Sequence, residues 1–131
     1  MEVFLSGGIS RDPEGAVYHF ISPPVTQAQA GDVFPGSAFV RQYNEPLQLW
    51  ENLTFSSPLS PVKGYSVWLE GGSTMVDFSG EFNSGVQQAG GLSYTGPGLP
   101  SYQPDYAGYQ LIGNPFPSAI NWEHPAILRN H

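Results

Sequence analysis

Glycine and proline recur every few residues, 16 of the first and 13 of the second in 131 positions, and this spacing restricts the fold more than any other feature. Proline locks φ and carries no amide hydrogen, while glycine weakens the interior of any regular element, so only short elements fit between them. Long surface helices also need Glu, Lys and Arg, yet charged residues make up 11% of this chain, less than half of the ~25% usual in globular proteins. The intervals hold short runs of alternating or continuous apolar character, the pattern of an all-β protein. The expectation is an antiparallel β-sandwich, jelly-roll-like or Ig-like, formed by a single domain over residues 1–131. A domain of that size buries roughly two-thirds of the surface its unfolded chain exposes.

Candidate strands fall at Glu2 to Ser6, Ala16 to Ser22, Ala38 to Tyr43, Leu47 to Asn52, Tyr65 to Glu70, Thr74 to Ser79, Gly85 to Tyr94 and Tyr109 to Gly113. Helix has no comparable support. In "GYSVWLEGGSTMVDFSG" two apolar runs flank Glu70-Gly71-Gly72-Ser73, whose glycines suit a tight turn, so Tyr65 to Phe78 is expected to form a hairpin. "SAFVRQYN" and "LQLWENL" make a second expected hairpin around Glu45-Pro46, because Pro46 cannot donate to a ladder and fits a turn. From Gly90 to Tyr106 the chain reads "GGLSYTGPGLPSYQPDY", and connections of that length are uncommon unless they are functional. Its tyrosines, Tyr94, Tyr102 and Tyr106, are the candidate ligand contacts, since an exposed aromatic face can stack on the CH face of a pyranose. Trp50, Trp68 and Trp122 can serve the same way but are expected to fill the core.

A pattern occurs twice. Aligning Tyr18 with Tyr109 matches Phe20 to Leu111, Ile21 to Ile112, Ser22 to Gly113 and Pro24 to Pro115. The second copy, "GYQLIGNPFPSAINW", has a structural explanation in Gly113, Asn114, Pro115, Phe116 and Pro117. Asn114 can bond its own backbone in a turn, Gly113 tolerates unusual φ, and the two prolines fix φ, so a strand is forced to end and redirect. The Phe116–Pro117 bond is a candidate cis peptide. In this corner reading Tyr109, Leu111, Ile112 and Trp122 belong to the core.

"YHFISPPV", "LWENL", "SPVKGYSVWLEGGSTMVDFSGEFNSG" and "GYQLIGNPFPSAINW" together resemble a module of large secreted and surface proteins from gliding bacteria that use type IX secretion. The last motif matches the family pattern at Gly108, Tyr109, Leu111 to Ser118 and Ile120 to Trp122. The resemblance spans about Val3 to about Trp122 and implies an extracellular β-rich module without an assigned reaction. Domains of that family continue past the motif with further strands. It therefore implies that the chain is a piece of a longer protein, incomplete at its C-terminal side, with an open sheet edge suited to self-association.

Other chemistries find little support. A net charge of −7 repels a phosphate backbone, which argues against nucleic acid. No apolar run approaches the ~18 residues of a membrane span, and Met1 to Leu5 does not read as a signal peptide. The chain has no cysteine, which removes disulfides, thiolate metal sites and cysteine nucleophiles. Asp12, Glu14, Asp32, Asp77, Glu81 and Asp105 are too scattered for a calcium loop, and "SRDPEG" reads as an Asp-Pro turn. His19, His124 and His131 lack zinc spacing, so no metal or cofactor is expected. No G-x-S-x-G occurs, and Glu70, Asp77 and Glu81 permit a carboxylate pair without pointing to one.

The function expected is a noncatalytic extracellular module, structural or adhesive, of a bacterial surface protein. Its partner would be a surface glycan or another protein. The alternative is a carbohydrate-binding module of a secreted polysaccharide-degrading enzyme.

Overall fold

The run Tyr65-Ser66-Val67-Trp68-Leu69 is buried at all five positions, and the fold is arranged around it. A strand covered on both faces reads as a continuous apolar segment rather than an alternating one. The computed structural model describes residues 1–8 and 17–127, and among these the chain is nearly all β, with antiparallel sheets packed against each other as a sandwich. In chain order the elements are β1 (Glu2–Leu5), β2 (Tyr18–Ile21), β3 (Ala28–Gln29), α1 (Ala30–Val33), β4 (Ala38–Asn44), β5 (Leu49–Asn52), β6 (Pro58–Leu59), β7 (Tyr65–Leu69) and β8 (Thr74–Asp77). The largest sheet has four strands in the order β2-β7-β4-β5, and β1 with β8 and β3 with β6 form two-stranded ladders. The "SRDPEG" turn, the first residue of the second expected strand and His131 lie outside the described residues.

Strand alternation sorts the side chains. On the inner face, Val40, Tyr65, Val67 and Leu69 of the large sheet meet Leu5, Val76 and Phe78 of the β1–β8 layer. Val33 and Phe34, at the end of the single-turn helix α1, close one side of this core, and Phe34 meets Phe78 edge to face with ring centroids 6.3 Å apart. Each such fully buried side chain contributes roughly 1.5–3 kcal/mol.

The hairpin expected around Pro46 is present: Arg41 to Asn44 pair with Asn52 to Leu49, and the Gln48 N–H donates to the Glu45 carbonyl at 2.9 Å. The hairpin expected from Tyr65 to Phe78 is not. Both edges of β7 are occupied, by β2 and β4, so β8 has no free edge there and pairs with β1 instead. Gly71, at φ +108°, marks the crossing from one layer to the other. Its neighbour in space, Gly7, could not carry a Cβ, which would lie 2.2 Å from the Gly71 carbonyl oxygen.

Two further expected strands fail to form. Gly85 to Tyr94 has no strand, and Val86 within it is 98% exposed, with no apolar surface to pack on. Tyr109 to Gly113 is reduced to a Lys63–Ile112 bridge, flanked by the Gly64 N–H on the Leu111 carbonyl and the Gly113 N–H on the Val62 carbonyl. Because this segment runs along the rim of the sheet, Tyr109, Ile112 and Trp122 are 42–43% exposed rather than core, and Leu111 is half-buried. Of the three tryptophans Trp68 alone is buried.

The corner itself holds, for partly different reasons. Asn114 accepts the Phe116 N–H at 3.0 Å and its amide donates to the Ser118 carbonyl. Gly113 is required by closeness, not by φ: an added Cβ would lie 2.4 Å from Cβ of Ser22, the equivalent residue of the first copy. The Phe116–Pro117 bond is trans. The two copies are joined by Asn83, 5% exposed, whose side-chain amide donates to the carbonyls of Pro23 at 3.0 Å and Pro115 at 2.8 Å.

Asn83→Ala orphans two buried carbonyls and is expected to lower unfolding stability by about 2–4 kcal/mol in urea denaturation. Gly113→Ala is expected to cost about 1–3 kcal/mol through the Ser22 clash, with part of the loss recovered when Ser22→Gly is added.

Candidate binding surfaces

Along β4 the inward positions read Ala38, Val40, Gln42, Asn44, so the inner face changes from apolar to polar halfway along the strand. In a sandwich that face ordinarily stays apolar. Opposite Gln42 on β5 stands Glu51, whose carboxylate accepts the Asn44 amide at 2.9 Å and the Gln42 amide at 3.4 Å. Beyond the core the sheet and the loops separate, and the space between is a cleft of about 420 Å³. Residues 60–64 form one wall, and 88–93 with 110–112 form another.

The loop wall is held by Glu45, which begins the hairpin turn and is 2% exposed. One carboxylate oxygen accepts the N–H groups of Thr95 and Gly108, and the other accepts the Ser93 hydroxyl at 2.6 Å. The Thr95 hydroxyl donates to the Glu45 carbonyl at 3.3 Å, and the Ser101 hydroxyl to that of Pro46 at 2.8 Å. Burial is the strongest single influence on the Glu45 carboxyl and would raise its pKa. The Ser93 hydroxyl, the Gly108 and Thr95 amides and the Thr95 hydroxyl together outweigh it and hold the pKa at about 2.

The three candidate tyrosines lie on this stapled loop, outside the cleft lining. Tyr94 is 66% exposed, with its ring against Gly108, where φ is +75° and a Cβ would meet the ring at 2.8 Å. Tyr106 is 51% exposed and Tyr102 is half-buried. None of the three pairs with another in a ring contact among the described residues.

A second surface is the outer face of the four-stranded sheet, where register places Tyr18 and Phe20 of β2, Trp68 of β7, Phe39 and Tyr43 of β4, and Trp50 of β5 on one side. Phe20 and Trp50 stack with centroids 6.5 Å apart and planes 6° from parallel. Tyr43 meets Trp50 and Tyr109 edge-on at 5.4 and 4.9 Å, and Phe39 stacks on Trp68 at 4.9 Å. Burial, then the Glu45 carboxylate and the Tyr106 and Tyr109 phenols, push the Tyr43 pKa up. Tyr18 and Phe20, on the edge strand, remain 55% and 64% exposed. Sequence reasoning missed the cleft, although Gln42 and Asn44 at inward positions were an available signal. Of the aromatic face it weighed Trp50 and Trp68 as ring-stacking residues, expected them in the core, and did not single out Tyr18, Phe20, Phe39 or Tyr43.

Comparison with family models, with curated proteins and with solved structures finds no match to this chain.

Because the Glu45 pKa is depressed from 4.5 to about 2, its contribution to stability is fully present above pH 4.5 and is lost as pH falls through about 2. Asp77, lowered by the Ser79 hydroxyl and then the Met1 amine, acts in the same direction. Protection of the Thr95 and Gly108 amides against hydrogen exchange is therefore expected to fall across that window. In Glu45→Gln, where an NH₂ group replaces one acceptor, it is expected to be reduced already at neutral pH.

Proposed function

We propose that this chain is a noncatalytic extracellular module of a bacterial surface protein, with a structural and adhesive role. The observation that carries this reading is the aromatic outer face, which ends at an edge strand with Tyr18 and Phe20 exposed. Aromatic rings offer large contact area at low entropic cost, and an edge strand adds unpaired backbone groups beside them. The motif resemblance described above supports the extracellular setting.

One further feature argues against a general-acid role. The buried carboxylate, Glu45, is held ionised by neutral donors, whereas a general acid needs a raised pKa. No group of three or more His, Asp or Glu side chains positioned to hold a metal occurs among the described residues. Also among them, no helix is long and apolar enough to cross a membrane.

Retention of the purified chain on immobilised polysaccharides and matrix proteins tests the reading. The Tyr18→Ser, Phe20→Ser double variant is expected to lose most of that retention while staying folded, with stability lowered by only about 1 kcal/mol for the lost Phe20–Trp50 stack, since both side chains are more than half exposed. Release of new reducing ends from any of the polysaccharides would overturn the noncatalytic assignment.

A further inference from the structure

We propose that the cleft beside the β4–β5 hairpin is a binding site for a short neutral saccharide. The proposal rests on the adhesive reading in naming what is held, but it places the contact on different residues from the aromatic face. The cleft's volume of about 420 Å³ falls in the range of about 300–1,000 Å³ typical of small-molecule sites.

The first observation is the polarity of an inward face. Gln42, Asn44 and Glu51 stand on the side of the sheet that forms the core one turn of alternation earlier. Their mutual hydrogen bonds fix the side chains without exhausting them. Each amide keeps a second N–H, and Gln42 keeps its carbonyl oxygen, so donors and acceptors alternate over a short distance. Gln110 on the facing wall donates to the Ser93 carbonyl at 2.9 Å, which leaves its own carbonyl oxygen for a ligand. Vicinal hydroxyls, each both donor and acceptor, match such an array.

A second, independent observation is strain at the rim. Val62, which lines the cleft, has φ +68°, a conformation that a β-branched side chain rarely adopts. It is held there by the Gly113 N–H, which donates to its carbonyl at 2.7 Å. Strain of this kind persists where the surroundings over-determine it and gathers at ligand sites.

Charge selects the ligand class. Glu45 and Glu51 are among the residues lining the cleft, against one Lys63, in a chain of net charge −7, so an anionic ligand is disfavoured. A cation finds both carboxylates already engaged by hydrogen bonds within the protein. What remains is a neutral, polyhydroxylated ligand held by amides.

The test is a titration of the intact chain with cellotriose, xylotriose, maltotriose, mannotriose and tri-N-acetylchitotriose, with tri-galacturonic acid as the anionic comparison, followed by side-chain amide NMR. At least one neutral trimer is expected to shift the side-chain amide signals of Gln42, Asn44 and Gln110. Gln42→Ala and Gln110→Ala are each expected to weaken that binding about tenfold, the loss of one well-made hydrogen bond. Glu51→Gln, which keeps shape but loses the orienting carboxylate, is expected to weaken it with the amide spectrum of the core unchanged. Binding of none of the neutral trimers, preference for the acidic trimer, or shifts confined to Tyr94, Tyr102 and Tyr106 or to the aromatic face would overturn the proposal. If polysaccharide retention is lost in the Tyr18→Ser, Phe20→Ser variant while no neutral trimer shifts the side-chain amides of Gln42, Asn44 and Gln110, the adhesive reading stands and the cleft assignment falls.

Discussion

One buried amide determines how the second half of this chain lies on the first. Asn83 donates from its side chain to Pro23 and Pro115, and its own N–H donates to the Pro24 carbonyl at 2.8 Å. Prolines cannot donate hydrogen bonds themselves, so a pair of proline corners leaves carbonyls that only another part of the chain can satisfy. A single amide that serves both corners couples their positions. Once Pro115 is set against Pro23, Gly113 must pass beside Ser22 at a distance that admits no side chain, and the Gly113 and Gly64 amides fall into register with Val62 and Leu111.

Glu45 does for the Gly- and Pro-rich loop what Asn83 does for the corners. A loop from the end of β8 to residue 127 has little apolar surface to bury, and five of its larger side chains, Val86, Leu92, Tyr94, Leu99 and Tyr106, are more than half exposed. Its order has to come from hydrogen bonds, and hydrogen bonds to an ionised acceptor are roughly twice as strong as neutral ones. Placing that acceptor in the turn of the β4–β5 hairpin ties the loop to a rigid part of the sheet. It also makes the arrangement acid-sensitive, which a hydrophobic anchor would not be.

What was legible in the sequence was local. The strand expected at Ala38 to Tyr43, the apolar run at Tyr65 and the turn at Glu45-Pro46 each produced the element expected, and together they define an all-β sandwich. The pairing of β8 was not legible, because the Gly71-Gly72 turn is locally suited to a hairpin and is overruled only by the occupancy of both edges of β7. The two-residue β3 and β6 strands are too short for periodicity to register. Asn83 and Glu45 looked like ordinary loop and turn residues; their importance lies in contacts 32 to 63 residues away. The tyrosines of the loop were visible from composition, whereas the cleft depends on which wall each polar side chain faces.

The polar half of the inner face clarifies why so much of the structure is spent on fixing loops. If Gln42 and Asn44 were replaced by apolar residues, the two layers could close on each other and the loop wall would become a second hydrophobic core. With amides in those positions closure would strand polar groups away from water, so the layers stay apart and a cleft persists. A cleft maintained only by repulsion of that kind would be floppy, and ordering it around a ligand would consume much of the binding energy. Here the opposite wall is already held by the Glu45 carboxylate and the rim by the Val62–Gly113 pairing, so the ordering precedes any ligand. The same two anchors that compensate for a loop with no core of its own leave the cleft preorganised.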